Sequence, residues 1–180
     1  MRAAGHGATW KGPVLIDRLN LADLAERALA TARRRNLTIV TAESCTAGKL
    51  SALLSEAPGA AEHLHGSFVA YTKANKVKAL GVDPGLLKEK GAVCREVAVA
   101  MAEGALHRSP ADVAAAITGV AGPDADEDGN PVGLVCIAVA RDGRGPLHVE
   151  RKYGDLGREK VQEQGMADAL AELIRCLEAD

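Results

Sequence analysis

The sequence predicts an α/β fold: a three-layer α/β/α sandwich whose mixed sheet combines parallel strands with a C-terminal antiparallel hairpin. Short apolar runs rich in β-branched residues or alanine recur at 37–41, 66–71 and 112–118, and each opens into a turn of small or polar residues. Between them lie segments whose apolar residues return every three or four positions, the pattern of helices with one buried face. Near the end, Asp142-Gly143-Arg144-Gly145-Pro146 separates two further apolar runs, 133–141 and 147–153, as a hairpin turn would. Three strand-then-helix units plus one hairpin make a sheet covered by helices on both faces.

At 180 residues the chain has the size of one ordinary domain, enough to bury about two-thirds of its unfolded surface. Residues 1–18 are Gly-rich without the apolar core of a secretory signal, so a flexible leader is expected there and a single domain over 19–180. Asn20 is placed to cap a helix reaching about Arg34, with Leu21, Leu24, Ala25, Ala28, Leu29 and Ala32 as its apolar stripe. After the first strand, Gly48 leads into Leu50, Leu53 and Leu54 at helical spacing, and Ala57-Pro58-Gly59 ends that helix. The second strand passes at once into a helix from about Thr72 to Leu80, stopped by Gly81. Asp83-Pro84 starts a short helix closed by Gly91, and a longer one over 95–108 turns Val97, Ala98, Met101, Ala102 and Ala105 inward. The third strand opens into Gly119-Val120-Ala121-Gly122-Pro123 and an acidic stretch, 124–130, that reads as a solvated loop; a last helix spans 158–177.

Composition narrows the function. A formal charge of −2 leaves no basic excess to neutralise phosphates, and 2% aromatic residues cannot build a base-stacking platform, so nucleic acid is not an expected partner. No apolar run approaches the ~20 residues of a membrane span, so no membrane partner is expected. Cys45, Cys94, Cys136 and Cys176 are scattered, without a C-x-x-C pair or a nearby histidine at ligand spacing. That pattern suits free thiols in a reducing cytoplasm and no metal site.

The candidate chemistry gathers at the first strand-to-helix turn, Glu43-Ser44-Cys45-Thr46-Ala47-Gly48. Such a turn lies at the carboxyl end of the sheet, where open α/β folds bind ligands, and the first N–H groups of the following helix are free to meet an anion or oxyanion. Ser44 is the strongest nucleophile there, although hydroxyl side chains at such junctions more often serve as helix caps. A serine needs a base. The five histidines look peripheral, His63 and His65 falling at the amino end of the second strand, and no G-x-S-x-G elbow exists. A lysine of depressed pKa is the next candidate. Lys73 and Lys76 flank the Val77 and Leu80 stripe of their helix while Lys78 points away. The positive end of that helix and the charge of a neighbouring lysine would both lower the pKa of a partly buried amine, although solvated lysines would share this spacing. The glycine-lined strand end at Thr118, Gly119 and Gly122 would let a ligand approach the main chain closely, or be a structural turn. Phosphate-loop, calcium-loop and S-x-x-K patterns fail on Glu43, Val135 and Ala47, respectively.

Three ordered motifs resemble the CinA C-terminal domain family: Thr41-Ala42-Glu43-Ser44-Cys45-Thr46-Ala47-Gly48; Tyr71 with Lys76 and Leu80-Gly81-Val82; and Ile117-Thr118-Gly119-Val120-Ala121-Gly122-Pro123 with Pro131-Val132-Gly133-Leu134-Val135. The family includes the PncC-type nicotinamide mononucleotide deamidases. The resemblance implies a stand-alone, cytoplasmic, homo-oligomeric α/β/α amidohydrolase needing no cofactor. It would hydrolyse a small-molecule nucleotide, nicotinamide mononucleotide, to the acid and ammonia in pyridine nucleotide salvage. By the same resemblance Ser44 is the nucleophile and Lys76 its base, with Glu43, Cys45, Thr46, Gly48, Tyr71, Lys73, Thr118, Gly119 and Gly122 around the substrate. Arg158, in Gly154-Asp155-Leu156-Gly157-Arg158, resembles a Gly-Asp-Arg signature suited to the 5′-phosphate. The chain departs from the family at Ala47 (usually glycine), Lys73 (usually Asn), the inserted Leu156-Gly157, and Gln162 (commonly Arg). These departures keep a competing expectation open, a nucleotide-binding or regulatory module without turnover.

Overall fold

The computed structural model of the chain describes residues 18–179. The flexible leader expected over 1–18 lies outside the described residues, apart from Arg18, which begins the first helix. The elements run α1 (Arg18–Arg35), β1 (Ile39–Glu43), α2 (Lys49–Glu56), α3 (Ala60–His63), β2 (Leu64–Val69), α4 (Lys73–Leu80), α5 (Pro84–Lys90), α6 (Arg95–His107), β3 (Val113–Gly119), β4 (Leu134–Arg141), β5 (Leu147–Lys152) and α7 (Arg158–Glu178). The five strands form one mixed sheet in the order β2-β1-β3-β4-β5. β1 pairs parallel with β2 and β3, whereas β3–β4 and β4–β5 are antiparallel. The predicted three-layer mixed α/β architecture is therefore the observed one. No helix among the described residues is long and apolar enough to cross a membrane.

Strand alternation sorts the side chains into two cores. Val113, Ala115 and Ile117 of β3, with Val135, Ile137 and Val139 of β4, pack against α1, α2 and α7. Ala114 and Ala116, with Cys136 and Ala138, pack against the α4–α6 face. On β1, Ile39 joins the first core and Val40 and Ala42 the second. The same alternation aims Glu43 toward α2. Carried one residue further, it aims Ser44 toward the α4 side.

Several boundaries differ from expectation, each for a local reason. β1 begins two residues late because Asn36 and Leu37 close α1 instead: Asn36 adopts φ 51 and the Leu37 N–H reaches back to Ala32 O at 2.9 Å, a left-handed helix cap. α1 starts at Arg18, so Asn20 lies inside the helix, not at its cap. β2 starts at Leu64, after the one-turn α3 that the sequence pattern did not reveal. Only two of the three expected strand-then-helix units exist, since β3 returns through a loop into antiparallel β4.

One close contact sets the position of the helix that carries Lys76. Gly104 of α6 lies directly beneath the Leu80 carbonyl at the end of α4, where a Cβ would collide with that oxygen. Gly104→Ala, despite the higher helix propensity of alanine, is expected to destabilise the fold by about 1–3 kcal/mol through overpacking. Thermal or urea unfolding against the parent measures this.

Candidate active site

The turn after β1 is built around a carboxylate. Glu43 is fully buried, and its Oε2 accepts from Thr46 Oγ1 at 2.6 Å and from the N–H groups of Gly48 and Leu50, both at 3.0 Å. Its Oε1 accepts from Ser51 N–H at 2.8 Å and Thr41 Oγ1 at 3.2 Å. Glu43 thus caps α2 from outside the helix, neutralising the donors that a helix start leaves unpaired. This corrects two expectations: those N–H groups are not open to a ligand, and Thr46 is a supporting hydroxyl, 0% exposed, that does not reach the cavity. Gly48 takes φ 95 and Ala47 φ 52, so the left-handed bend crosses a residue with a Cβ.

With the cap satisfied, Ser44 is left facing the opposite way. Its N–H donates to Ile117 O of β3 at 2.9 Å, and its carbonyl accepts from Ala47 N–H at 3.0 Å, so both ends of the residue are anchored. Cys45 beside it is buried, and desolvation pushes its thiol up to about 12, which leaves it protonated and a poor nucleophile. The Cys45 N–H donates to no carbonyl or carboxylate among the described residues, and neither do those of Ala121 and Gly122 on the facing loop.

α4 carries the candidate base, Lys76. Thr72 caps it, accepting Asn75 N–H at 3.1 Å, and Asn75 Nδ2 ties the same turn to Val69 O at 2.9 Å. Lys76 is 0% exposed and ranks among the largest fully buried side chains. Its Nζ donates to Ala70 O at 3.0 Å, and the Ala70 N–H in turn donates to Glu43 O at 2.8 Å, the residue before Ser44. No carboxylate pairs with it among the described residues. Burial lowers its pKa from 10.5 to about 8. Lys78 is exposed, as the helical wheel expects.

Lys73 does not assist in the way anticipated. It pairs with Asp128 Oδ1 at 2.6 Å and Glu127 Oε1 at 2.9 Å, and these carboxylates raise its pKa. The depression at Lys76 comes from desolvation.

A cavity of about 470 Å³ lies at this carboxyl end of the sheet. Ser44, Cys45, Tyr71, Lys73, Thr118, Gly119, Gly122 and Arg158 line it; Glu43, Thr46, Gly48 and Lys76 do not. Tyr71 is 56% exposed at the rim. The Thr118 hydroxyl is already committed, donating to Ala92 O at 2.9 Å. Gly119 answers a packing demand, since a Cβ there would meet Leu134 O and Val135 Cγ2 at 2.8 Å. Arg158, exposed at the first position of α7, makes no ion pair with a described residue.

The opposite wall and the support behind the turn were not legible as site residues in the sequence. The acidic stretch is exposed, but Asp124, Asp126, Glu127 and Asp128 line the cavity, and Asp128 Oδ2 also accepts Ala92 N–H at 3.0 Å. Behind the turn, Gln162 of α7 is buried and donates through Nε2 to Cys45 O at 2.6 Å. Its place four residues before Met166, on the buried face of α7, was the available signal. Among the described residues no group of three or more His, Cys, Asp or Glu side chains is arranged to hold a metal.

Removing the capping carboxylate tests this construction. Glu43→Ala leaves several buried N–H groups unpaired and is expected to cost about 2–4 kcal/mol in urea unfolding, with Glu43→Gln costing less because one acceptor oxygen survives.

Residues 21–177 match the CinA C-terminal domain. A CinA-like protein of Mycobacterium sp. strain JLS is 48% identical over 142 residues, covering 78% of this chain and 33% of the relative. One from Mycobacterium marinum is 44% identical over 156 residues, covering 86% of this chain and 35% of the relative. The chain thus spans about a third of the length of these curated relatives. Among solved structures, the competence/damage-inducible protein CihA from Agrobacterium tumefaciens superposes with a TM-score of 0.85 at 37% identity, over 95% of this chain and 100% of that one. A CinA superfamily protein from Escherichia coli does so with a TM-score of 0.84 at 33% identity, over 91% and 94%. On sequence and fold together, the chain belongs to the CinA C-terminal domain family.

Proposed function

We propose that this chain is an amidohydrolase that converts nicotinamide mononucleotide to nicotinate mononucleotide and ammonia. One observation carries the reading: a fully buried lysine, without a carboxylate partner among the described residues and with its pKa lowered to about 8, lies near enough to Cys45, next to Ser44, for their charges to interact. A buried amine of this kind is costly to the fold, and it is the group a serine needs for activation where no histidine is at hand.

The residues support the following sequence. Neutral Lys76 takes the Ser44 hydroxyl proton as Oγ attacks the carboxamide carbon. The carbonyl π pair moves onto oxygen, which meets the Cys45 N–H, with Ala121 and Gly122 N–H groups on the facing wall. As the tetrahedral species collapses, the C–N bond breaks and Lys76-H⁺ gives its proton to the departing nitrogen, releasing ammonia. Water, deprotonated by the same amine, then attacks the seryl ester, and the proton returns to Ser44 as the acid leaves. Arg158 at the rim is the cation for the 5′-phosphate.

Ammonia release from the nucleotide tests the activity directly. Ser44→Ala is expected to lower kcat by roughly 10³-fold or more. Nucleotide binding in calorimetry without ammonia release from the parent protein would instead identify a binding module.

The pH profile carries a sign. Below about 8 the fraction of neutral Lys76 rises tenfold per unit, so kcat/KM should climb with pH and level off above about 8. Because the folded pKa lies below the unfolded value, the unfolded chain binds more protons between about 8 and 10.5; stability rises with pH across that window, and the burial cost is fully present below it. Lys76→Met should therefore abolish turnover while stabilising the fold at neutral pH by about 1–3 kcal/mol, read from unfolding at pH 7.

A further inference from the structure

We infer that Gln162 is a positioning residue for the oxyanion donor of the Ser44 turn, acting from α7 through the Cys45 carbonyl; this deepens the amidase reading and rests on it. The geometry is that of two peptide planes. A planar trans peptide points its N–H opposite its C=O, so the Ser44 carbonyl aims the Cys45 N–H directly, and the following peptide restrains that N–H only through the φ and ψ of Cys45. The Ser44–Cys45 peptide is held by Ala47 N–H on Ser44 O at 3.0 Å. The Cys45–Thr46 peptide is held by Gln162 Nε2 on Cys45 O at 2.6 Å. Together they settle the backbone angles of Cys45, whose N–H is the turn's donor nearest the cavity, since Cys45 lines it and Thr46 does not.

Only the first of these anchors is local. The second crosses from β1–α2 to α7, and it is itself oriented: Gln162 Oε1 accepts from Lys49 Nζ at 2.6 Å, which decides that the amide nitrogen faces Cys45. Lys49 is the first residue of α2. One side chain that is 5% exposed therefore ties both ends of the Cys45–Lys49 segment to the last helix. Neither Gln162 nor Lys49 lines the cavity, which makes the role positional.

Methionine is nearly isosteric with glutamine and cannot donate, so Gln162→Met removes the anchor with little change of volume. Gln162→Glu keeps the Lys49 partner and sets an oxygen against the Cys45 carbonyl. Both should lower kcat by about 10- to 100-fold with KM within about twofold, because a misaimed donor weakens the transition state and not substrate binding. Lys49→Met, which loosens only the orientation of the amide, should lower kcat less. In amide hydrogen exchange on the parent and Gln162→Met proteins, the Ala47 N–H, which reports the turn, should exchange about tenfold faster while the amides of α6 are unchanged. Unchanged kcat in folded Gln162→Met, or a fall in Tm with kcat per folded molecule retained, would overturn the inference. Should the parent protein release no ammonia, the amidase reading fails by itself, and the exchange experiment decides alone: unaltered protection at Ala47 sinks the positioning role, and faster exchange sustains it.

Discussion

A carboxylate buried at the start of a helix is the constraint on which the rest of this site depends. Glu43 ends a central strand, and strand alternation sends its side chain toward α2, where three main-chain N–H groups and the hydroxyls of Thr41 and Thr46 meet it. The helix end would otherwise be a cluster of partial positive charge with little access to water. With Glu43 in place, that charge is matched inside the protein, and the bend through Ala47 and Gly48 is held. Ser44 can then face the other layer of the sandwich. Capping falls to Glu43, which leaves the hydroxyl of the adjacent Ser44 out of the cap.

The second constraint is the burial of an amine. Among the described residues the Lys76 amine has one hydrogen-bond partner, the Ala70 carbonyl, and its burial is sustained by the packing of α4 onto α6 around Gly104. Desolvation of an unpaired ammonium works against the charged form, so the fold holds a group that is easier to deprotonate than an exposed lysine. The arrangement costs stability wherever the amine is charged. Lys73, one turn earlier on the same helix, has the opposite fate. Carboxylates from the loop after β3 hold it charged, and it closes one side of the cavity as an ion pair.

Much of the fold was legible in the chain. Val113 to Gly119 and Leu134 to Arg141 are apolar on both faces because helices cover both sides, and continuous apolar runs carry that information locally. Gly81 and Gly91 end helices, and Asp83 with Pro84 starts one, through backbone preferences independent of distant neighbours. The turn carrying Ser44 and the helix carrying Lys76 were placed at one end of the sheet by the same local rules. Misplaced elements share a cause: where Leu37 and Leu64 end up depends on what the preceding helix does with its last turn, and an apolar side chain suits a cap or a strand equally well.

What the sequence by itself determined is the inventory and its direction: a parallel core of strands, the turns at their carboxyl ends, and a hydroxyl, an amine and a glycine-lined wall upon them. Only the tertiary structure decided which polar groups are committed elsewhere. Glu43, Thr46 and Thr118 carry the same functional groups as a binding residue would, yet their partners lie across a turn or in another element, and Gln162 meets Cys45 across 117 residues of chain. Local propensity reports how the backbone runs; whether a donor or an amine is free depends on burial and on partners brought together by folding, and those are properties of the packed chain.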